Sequence, residues 1–172
     1  MHPVDLLILE IAAGRIVGPA EIDRILHHVA TTGYPDVEET VGSRLAGVEW
    51  KGRILKDTDR LPYAEIHFLR HVKVQREWPE ETTFSAYLES IRDVLMDPDS
   101  GVAISRWQGR DWHLTVVRRS GPLRGPDGHE WLMIEYAVGG HWTTAFQMKL
   151  GLRQLTLSTR RRADFRWLRD PK

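Results

Sequence analysis

The sequence predicts an α+β fold, in which N-terminal helices precede a four- to five-stranded antiparallel sheet packed on two helices. Two patterns support this prediction. Before residue 100, apolar residues recur at the three- and four-residue spacing that is typical of helices. From residue 101 onward, apolar and polar residues alternate with the period of a β-strand. Helices followed by consecutive strands and tight turns indicate an α+β domain.

The helical half contains several segments with distinct start and stop signals. Glycines and prolines interrupt the apolar pattern, Asp36 is a candidate N-cap, and Thr82 or Thr83 starts the last helix. The segments predict helices over 4–13, 19–33, 36–45, 62–72 and 83–97, with a short strand over 48–55. We expect residues 1–50 to form an acidic helical extension, and residues 51–172 to form the α+β domain with a basic C-terminal tail.

The second half reads as a meander of antiparallel strands. Tight turns at 108–110 and 139–140 separate neighbouring strands, and residues 120–130 form a longer loop. A fifth strand is predicted over Gln154 to Ser158. The four main strands are predicted over 102–107, 111–119, 131–138 and 141–149.

Composition excludes some classes of function. The 172 residues contain 24 basic and 24 acidic side chains, so bulk positive charge does not hold this protein to nucleic acid. Residues 1–50 contain three basic and eight acidic side chains, whereas 153–172 contain seven basic and two acidic ones, so a local basic surface is possible. The absence of cysteine excludes disulfides, thiolate zinc sites and a cysteine nucleophile.

The sequence also bears on location. It contains no apolar run near the roughly 20 residues that span a bilayer. The segment Met1 to Asp5 lacks the basic start of a signal peptide. We expect a protein without a membrane span that acts in the cytoplasm or is delivered as part of a larger secreted protein.

One predicted sheet face gathers polar side chains. Strand alternation places six of them together: His113, Thr115, Glu135, His141, Thr143 and Gln147. Arg106, Arg118 and Arg119 flank the sheet and are candidates for holding a phosphate. The alternative interpretation is a solvated outer face that has no chemical role.

The helix over 62–72 carries the second candidate cluster. His67 and His71 are four residues apart and therefore share a helix face, with Arg70 and Lys73 close by. Such a pair can bind a metal, pack as neutral core residues, or perform acid–base chemistry. The adjacent cations and the lack of an acidic third ligand disfavour a metal, so we expect no metal and no cofactor.

The order of these segments resembles the barnase/EndoU/colicin/RelE-like nuclease superfamily, particularly its phage and polymorphic-toxin branches. The stretch 65–72 is similar to the His-bearing helix of that superfamily, and 87–99 is similar to its second helix. The stretch 141–146 is similar to its last strand, where a Ser or Thr often serves the site. The resemblance covers about residues 60–150.

The resemblance implies a metal-independent endoribonuclease of the toxin-effector type, whose partners would be RNA and an immunity or antitoxin protein. His67 or His71 would be the general acid or base, and Arg106 or Arg118 would hold the phosphate. The remaining implied site residues come from the helix and the sheet: Arg70, Lys73, His113, His141, Thr143 and Thr144.

Two other classes of function fit the same sequence. The first is a non-catalytic protein-binding module of the immunity or phage accessory type. The second is a small-molecule-binding α+β domain whose pocket is lined by tryptophans. The candidates for that lining are Trp107, Trp112, Trp131 and Trp142.

Overall fold

The computed structural model describes residues 1–157 and 162–172, and it confirms the α+β class. The helices are α1 (Pro3–Ala12), α2 (Pro19–Thr31), α3 (Tyr63–Phe68) and α4 (Phe84–Met96). The short strands are β1 (Glu38–Thr40), β2 (Glu49–Trp50), β3 (Arg53–Ile54) and β4 (Arg60–Pro62). The longer strands are β5 (Gly101–Trp107), β6 (Asp111–Arg119), β7 (Trp131–Ala137), β8 (Trp142–Gln147) and β9 (Arg162–Arg169). In the described part of the chain, no helix has the length and apolar character needed to cross a membrane.

Helix α4 follows directly from its sequence signals. The Thr83 hydroxyl accepts a hydrogen bond from the backbone N–H of Ala86 and caps the first turn. The buried face of the helix carries Tyr87, Ile91 and Val94, which lie at helical spacing. This face packs beneath the sheet, where the Tyr87 hydroxyl donates to the carbonyl of Ala145.

The main sheet has five antiparallel strands in the order β8-β7-β6-β5-β9. Strands β5 to β8 lie within two residues of their predicted bounds. The strand predicted over Gln154 to Ser158 is wrong, because Gly151–Leu155 is a 3₁₀-helix and Ser158 lies outside the described residues. The fifth strand is instead β9, which pairs with β5.

Two further predictions in the first half are wrong. Residues 36–45 do not form a helix, because Glu38–Thr40 pairs with Arg60–Pro62 as a two-stranded ribbon. Residues 48–55 form two short strands rather than one. Lys51 and Gly52 turn the chain between them with φ of 50° and 80°, as a two-residue hairpin turn requires.

The N-terminal helices share one core with the sheet. The Tyr136 hydroxyl of β7 donates to the buried carboxylate of Asp5 at 2.8 Å. The indole N–H of Trp142 in β8 donates to the carbonyl of Val29 in α2 at 2.8 Å. The boundary expected at residue 50 falls inside the β2–β3 hairpin, and buried apolar residues on both sides of it belong to the same cluster.

The opposite face of the sheet, here called the outer face, has two halves. One half is a small apolar cluster, whose buried members are Val117, Trp131, Met133, Met148 and Leu155. The 3₁₀-helix Gly151–Leu155 supplies the last of these. The other half carries polar side chains from β6, β7 and β9, and cavities open there.

Candidate functional site

A hydrogen-bonded network lies in the polar half of the outer face. His113 in β6 and Glu135 in β7 meet with Nδ1 and Oε1 2.7 Å apart. Arg162, the first residue of β9, donates from Nη1 to Oε1 at 3.0 Å and from Nη2 to Oε2 at 2.7 Å. Arg162 Nη1 also lies 3.3 Å from the hydroxyl of Thr115. Three strands therefore converge on one carboxylate.

Register explains this convergence. Thr115 and Glu135 are direct partners across β6 and β7, and His113 is two residues from Thr115 on the same face. Arg162 pairs with Trp107 at the end of β5, so its long side chain reaches across β5 and β6 to β7. The side chains of Glu135 and Arg162 are only 4% and 9% exposed.

The charge state of Glu135 follows from two opposing effects. Burial raises the pKa of its carboxyl, but the hydrogen bonds from His113 and Arg162 outweigh burial, and the pKa lies below its ordinary value. Glu135 is therefore ionised at neutral pH. Because an ionised carboxylate only accepts, Nδ1 of His113 is the donor, and Nε2 is the ring nitrogen left for a ligand.

The network borders a cavity of about 280 Å³ that is lined by Trp107, His113, Glu135, Thr143 and Thr144. The Trp107 and His113 rings are nearly parallel, at 17°, with centroids 6.0 Å apart. A neighbouring cavity of about 320 Å³ shares Trp107, Glu135 and Thr144 and extends to Phe146 and Gln154. The imidazole of His113 thus borders a cavity beside the aromatic ring of Trp107.

Comparisons with known proteins do not assign this site. No family model, curated protein or solved structure matches the chain. The chemistry of the site must therefore be argued from its own residues.

A bulge in β8 changes which predicted residues reach this face. The register shifts between Glu135 and Tyr136, so that Glu135 pairs with Thr144 and Tyr136 pairs with Trp142. Thr144 lines both cavities beside Glu135. Thr143, at the bulge, lines the smaller cavity and donates its hydroxyl to the carbonyl of Glu135.

Two residues predicted for this face are elsewhere. Gln147 lies beyond the bulge, where it is buried, and its amide donates to the carbonyl of Leu123. His141 is exposed at the β7–β8 turn and lines none of the cavities described above. The predicted gathering of these two side chains with His113 is therefore wrong, because strict alternation fails at the bulge.

His67 occupies an aromatic core rather than a reaction site. Its ring stacks on Tyr63 with centroids 4.4 Å apart and packs against Tyr34 at 5.0 Å. Burial, together with the nearby charges of His71 and Arg70, lowers the pKa of His67 to about 3. His67 is therefore neutral near pH 7, which argues against the acid–base role expected for it.

His71 lies in a π-helical segment, Leu69–Val74, that follows α3 directly. Its Nδ1 is 3.0 Å from the side-chain oxygen of Gln75 and 3.3 Å from the carboxylate of Glu77. Glu77 in turn accepts a hydrogen bond from the backbone N–H of Gln147. His71 thus joins the end of the helix to the edge strand β8, and its ring packs 5.8 Å from that of Phe146.

The predicted phosphate-binding cations do not line the cavities at His113. Arg106 pairs with Asp164 at 2.6 Å, and Arg118 pairs with Asp97 at 2.9 Å. Lys73 donates to the carbonyl of Glu80 at 3.2 Å. Nε of Arg70 is buried with no partner in the described structure. None of these four side chains lines the cavities at His113.

The structure also bears on the metal site and the tryptophan-lined pocket that the sequence analysis considered. Among the described residues, no group of three or more His, Asp or Glu is arranged to hold a metal ion. Of the four tryptophans considered for a pocket, only Trp107 lines the cavities at His113. Trp131 and Trp142 are buried in the two apolar clusters, so a shared tryptophan-lined pocket is wrong.

Sequence reasoning missed Arg162 as a site residue. It falls in the predicted basic C-terminal tail, because the last strand is predicted over Gln154 to Ser158, too early in the chain. Asp164 has a φ of 54°, and the β5–β9 pairing shifts register twice, so β9 lacks a regular alternating pattern. The sequence feature that could have indicated this strand is the mixture of basic and aromatic residues over 162–169.

Proposed function

We propose that this protein cleaves RNA at the outer face of the sheet, with His113 as the general base and without a metal cofactor. The observation that carries the proposal is the His113–Glu135–Arg162 network at the border of a cavity. A histidine whose tautomer is held by a buried carboxylate is a common form of positioned base.

Each network member has a distinct role in this proposal. The ionised Glu135 accepts the Nδ1–H of His113 and so selects the tautomer of the neutral ring in which Nε2 accepts a proton. Arg162 holds Glu135 in its ionised form and fixes its orientation. Thr144, which lines the same cavity, is assigned to donate its hydroxyl to a phosphate oxygen.

The reaction is transfer of a phosphoryl group within the RNA strand. His113 Nε2 takes the proton of the ribose 2′-hydroxyl, and the 2′-oxygen attacks the adjacent phosphorus. The bond from phosphorus to the 5′-oxygen breaks, and that oxygen takes a proton from water. The products are a 2′,3′-cyclic phosphate and a free 5′-hydroxyl, and His113 returns its proton to the solvent.

The test is cleavage of RNA by the purified protein in EDTA, with mass spectrometry of the products. We expect cyclic phosphate ends from the native protein and their loss in His113→Ala. His141→Ala is the matched control, because His141 is exposed and outside the cavity. Intact RNA with a range of unpaired substrates, or equal cleavage by His113→Ala, contradicts the proposal.

A second candidate is binding of a small aromatic ligand without catalysis. The parallel arrangement of the Trp107 and His113 rings beside the cavity of about 280 Å³ favours it. It predicts ligand-dependent Trp fluorescence that is lost in Trp107→Phe, with no cleavage of RNA. The cleavage assay therefore separates the two candidates.

A further inference from the structure

A third cavity lies on the far side of Phe146 from His113. Its volume is about 480 Å³, larger than either cavity at the His113 network. Its walls come from the π-helical region, the loop before β7, strand β8 and the segment after it. The wall residues that matter here are Gln75, Glu77, His129, Phe146, Lys149 and Gln154.

The three cavities are neighbours that share wall residues. Phe146 and Gln154 line both the largest cavity and the one that reaches Glu135. Trp107, Glu135 and Thr144 join that second cavity to the one at His113. We call this series of three cavities the outer groove. It runs from β5 to β8 and beyond, which is about 15 Å at the spacing of neighbouring strands.

The far end of the groove is built rigidly. A Cβ on Gly125 would lie 2.0 Å from the carbonyl oxygen of Trp78, and one on Gly128 would lie 2.5 Å from that of Glu77. The backbone N–H of Gly125 donates to the carbonyl of Glu77 at 2.6 Å. The loop before β7 is thus held directly against residues 76–78, so this wall does not depend on a ligand for its shape.

The lining of this cavity combines an aromatic ring, amides and a lysine with two carboxylates, Glu77 beside His71 and Asp127 beside Arg76. Phe146 offers an aromatic surface, and the amides of Gln75 and Gln154 offer both donors and acceptors for base edges. Lys149 is exposed at the rim and supplies a positive charge for a phosphate. A base within a duplex is stacked on its neighbours, so only an unpaired base can place its face on Phe146.

We propose that the outer groove binds an unpaired RNA strand over more than one nucleotide, with the base next to the cleaved position stacked on Phe146. This inference rests on the proposed function for the identity of the ligand as RNA. It adds that duplex RNA is not a substrate, and that Phe146 is a binding residue away from the proton transfer.

The test measures binding separately from cleavage. A fluorescently labelled 2′-O-methyl oligonucleotide has no free 2′-hydroxyl and cannot be cleaved, so its anisotropy reports binding alone. We expect the unpaired strand to bind at least about tenfold more tightly than its duplex, and Phe146→Leu to weaken binding about tenfold. Phe165→Leu is the matched control, since Phe165 is half-buried on the outer face but lines none of these three cavities.

The outcomes separate the two proposals. Equal affinity for strand and duplex, or equal affinity of the Phe146→Leu and Phe165→Leu proteins, overturns the groove inference. Selective binding without cleavage of the corresponding RNA overturns the proposed function but supports the groove. Thermal unfolding of both variants checks that they are folded, and the leucines preserve most of the side-chain volume.

Discussion

The protein contains two buried pairs of histidine and glutamate, and they differ in what surrounds them. His113 and Glu135 lie on neighbouring strands, 2.7 Å apart, and Arg162 places a guanidinium against the same carboxylate. His71 and Glu77 lie six residues apart in the chain and 3.3 Å apart in space, and their other partners among the described residues are the Gln75 side chain and the backbone N–H of Gln147.

This difference separates a reactive arrangement from a structural one. An arginine beside the first pair keeps Glu135 ionised and so fixes the tautomer of His113. The hydrogen bonds of His71 and Glu77 join the helical layer to strand β8. The four-residue spacing favoured His67 and His71 as the catalytic residues. A catalytic site, however, needs functional groups that converge from different elements and a cavity that borders them.

The largest expected effect on stability contrasts the two glutamates. Glu135→Gln removes the charge that faces the buried Arg162, so we expect a loss of about 3–5 kcal/mol in the free energy of unfolding. Glu77→Gln weakens the hydrogen bonds to the His71 ring and to the backbone N–H of Gln147, so we expect a loss of about 1–3 kcal/mol. Urea denaturation at pH 7 measures both, and a larger loss for Glu77→Gln would reverse the assignment.

The next effect tests the rigid wall near Glu77. Gly125→Ala places a Cβ against the backbone of Trp78, which cannot rotate away, so we expect a loss of about 1–3 kcal/mol. Gly140→Ala is the control, since its Cβ would meet only ordinary contact at 3.5 Å. Equal Tm values for the two variants would show that the loop is not held as described.

The third effect grows as the pH falls below about 6.5, and it comes from His67. Its pKa in the folded protein is about 3, against about 6.5 when unfolded, so the unfolded chain binds more protons between these values. The native protein should therefore lose up to about 1.4 kcal/mol per pH unit relative to His67→Phe as pH falls below about 6.5. The difference should be constant above pH 7. Parallel stability curves down to pH 4 would contradict a buried neutral His67.

The smallest expected effect concerns Arg106. Its ion pair with Asp164 is largely exposed, so Arg106→Ala should cost no more than about 1 kcal/mol. Because Arg106 lines none of the cavities at His113, we expect RNA cleavage to change by less than about threefold. A loss of RNA cleavage as large as that of His113→Ala would instead support the phosphate-binding role that the sequence predicted for Arg106.

The sequence predicted the helix-then-sheet order and the bounds of β5 to β8, because alternation there is regular. It placed His113, Thr115 and Glu135 on one face for the same reason. It could not reveal the β8 bulge, which brings Thr144 beside Glu135, since a bulge leaves no clear mark in a single sequence. Arg162 was missed because β9 is irregular and its partner strand, β5, is distant in sequence.

The helix histidines show a different limit. Their four-residue spacing predicted a shared face, and their rings do lie 5.8 Å apart. The spacing carried no information about burial, and it is burial that lowers the pKa of His67 and removes it from acid–base work at neutral pH.

The most direct test of the account compares His113→Ala with His71→Ala in RNA cleavage with EDTA present. Both histidines are buried beside a glutamate, so each variant controls for the structural cost of the other. We predict that His113→Ala lowers kcat/KM by about 10²- to 10⁴-fold, and that folded His71→Ala stays within about fivefold of the native protein. Loss of cleavage in His71→Ala with activity retained in His113→Ala would contradict the account.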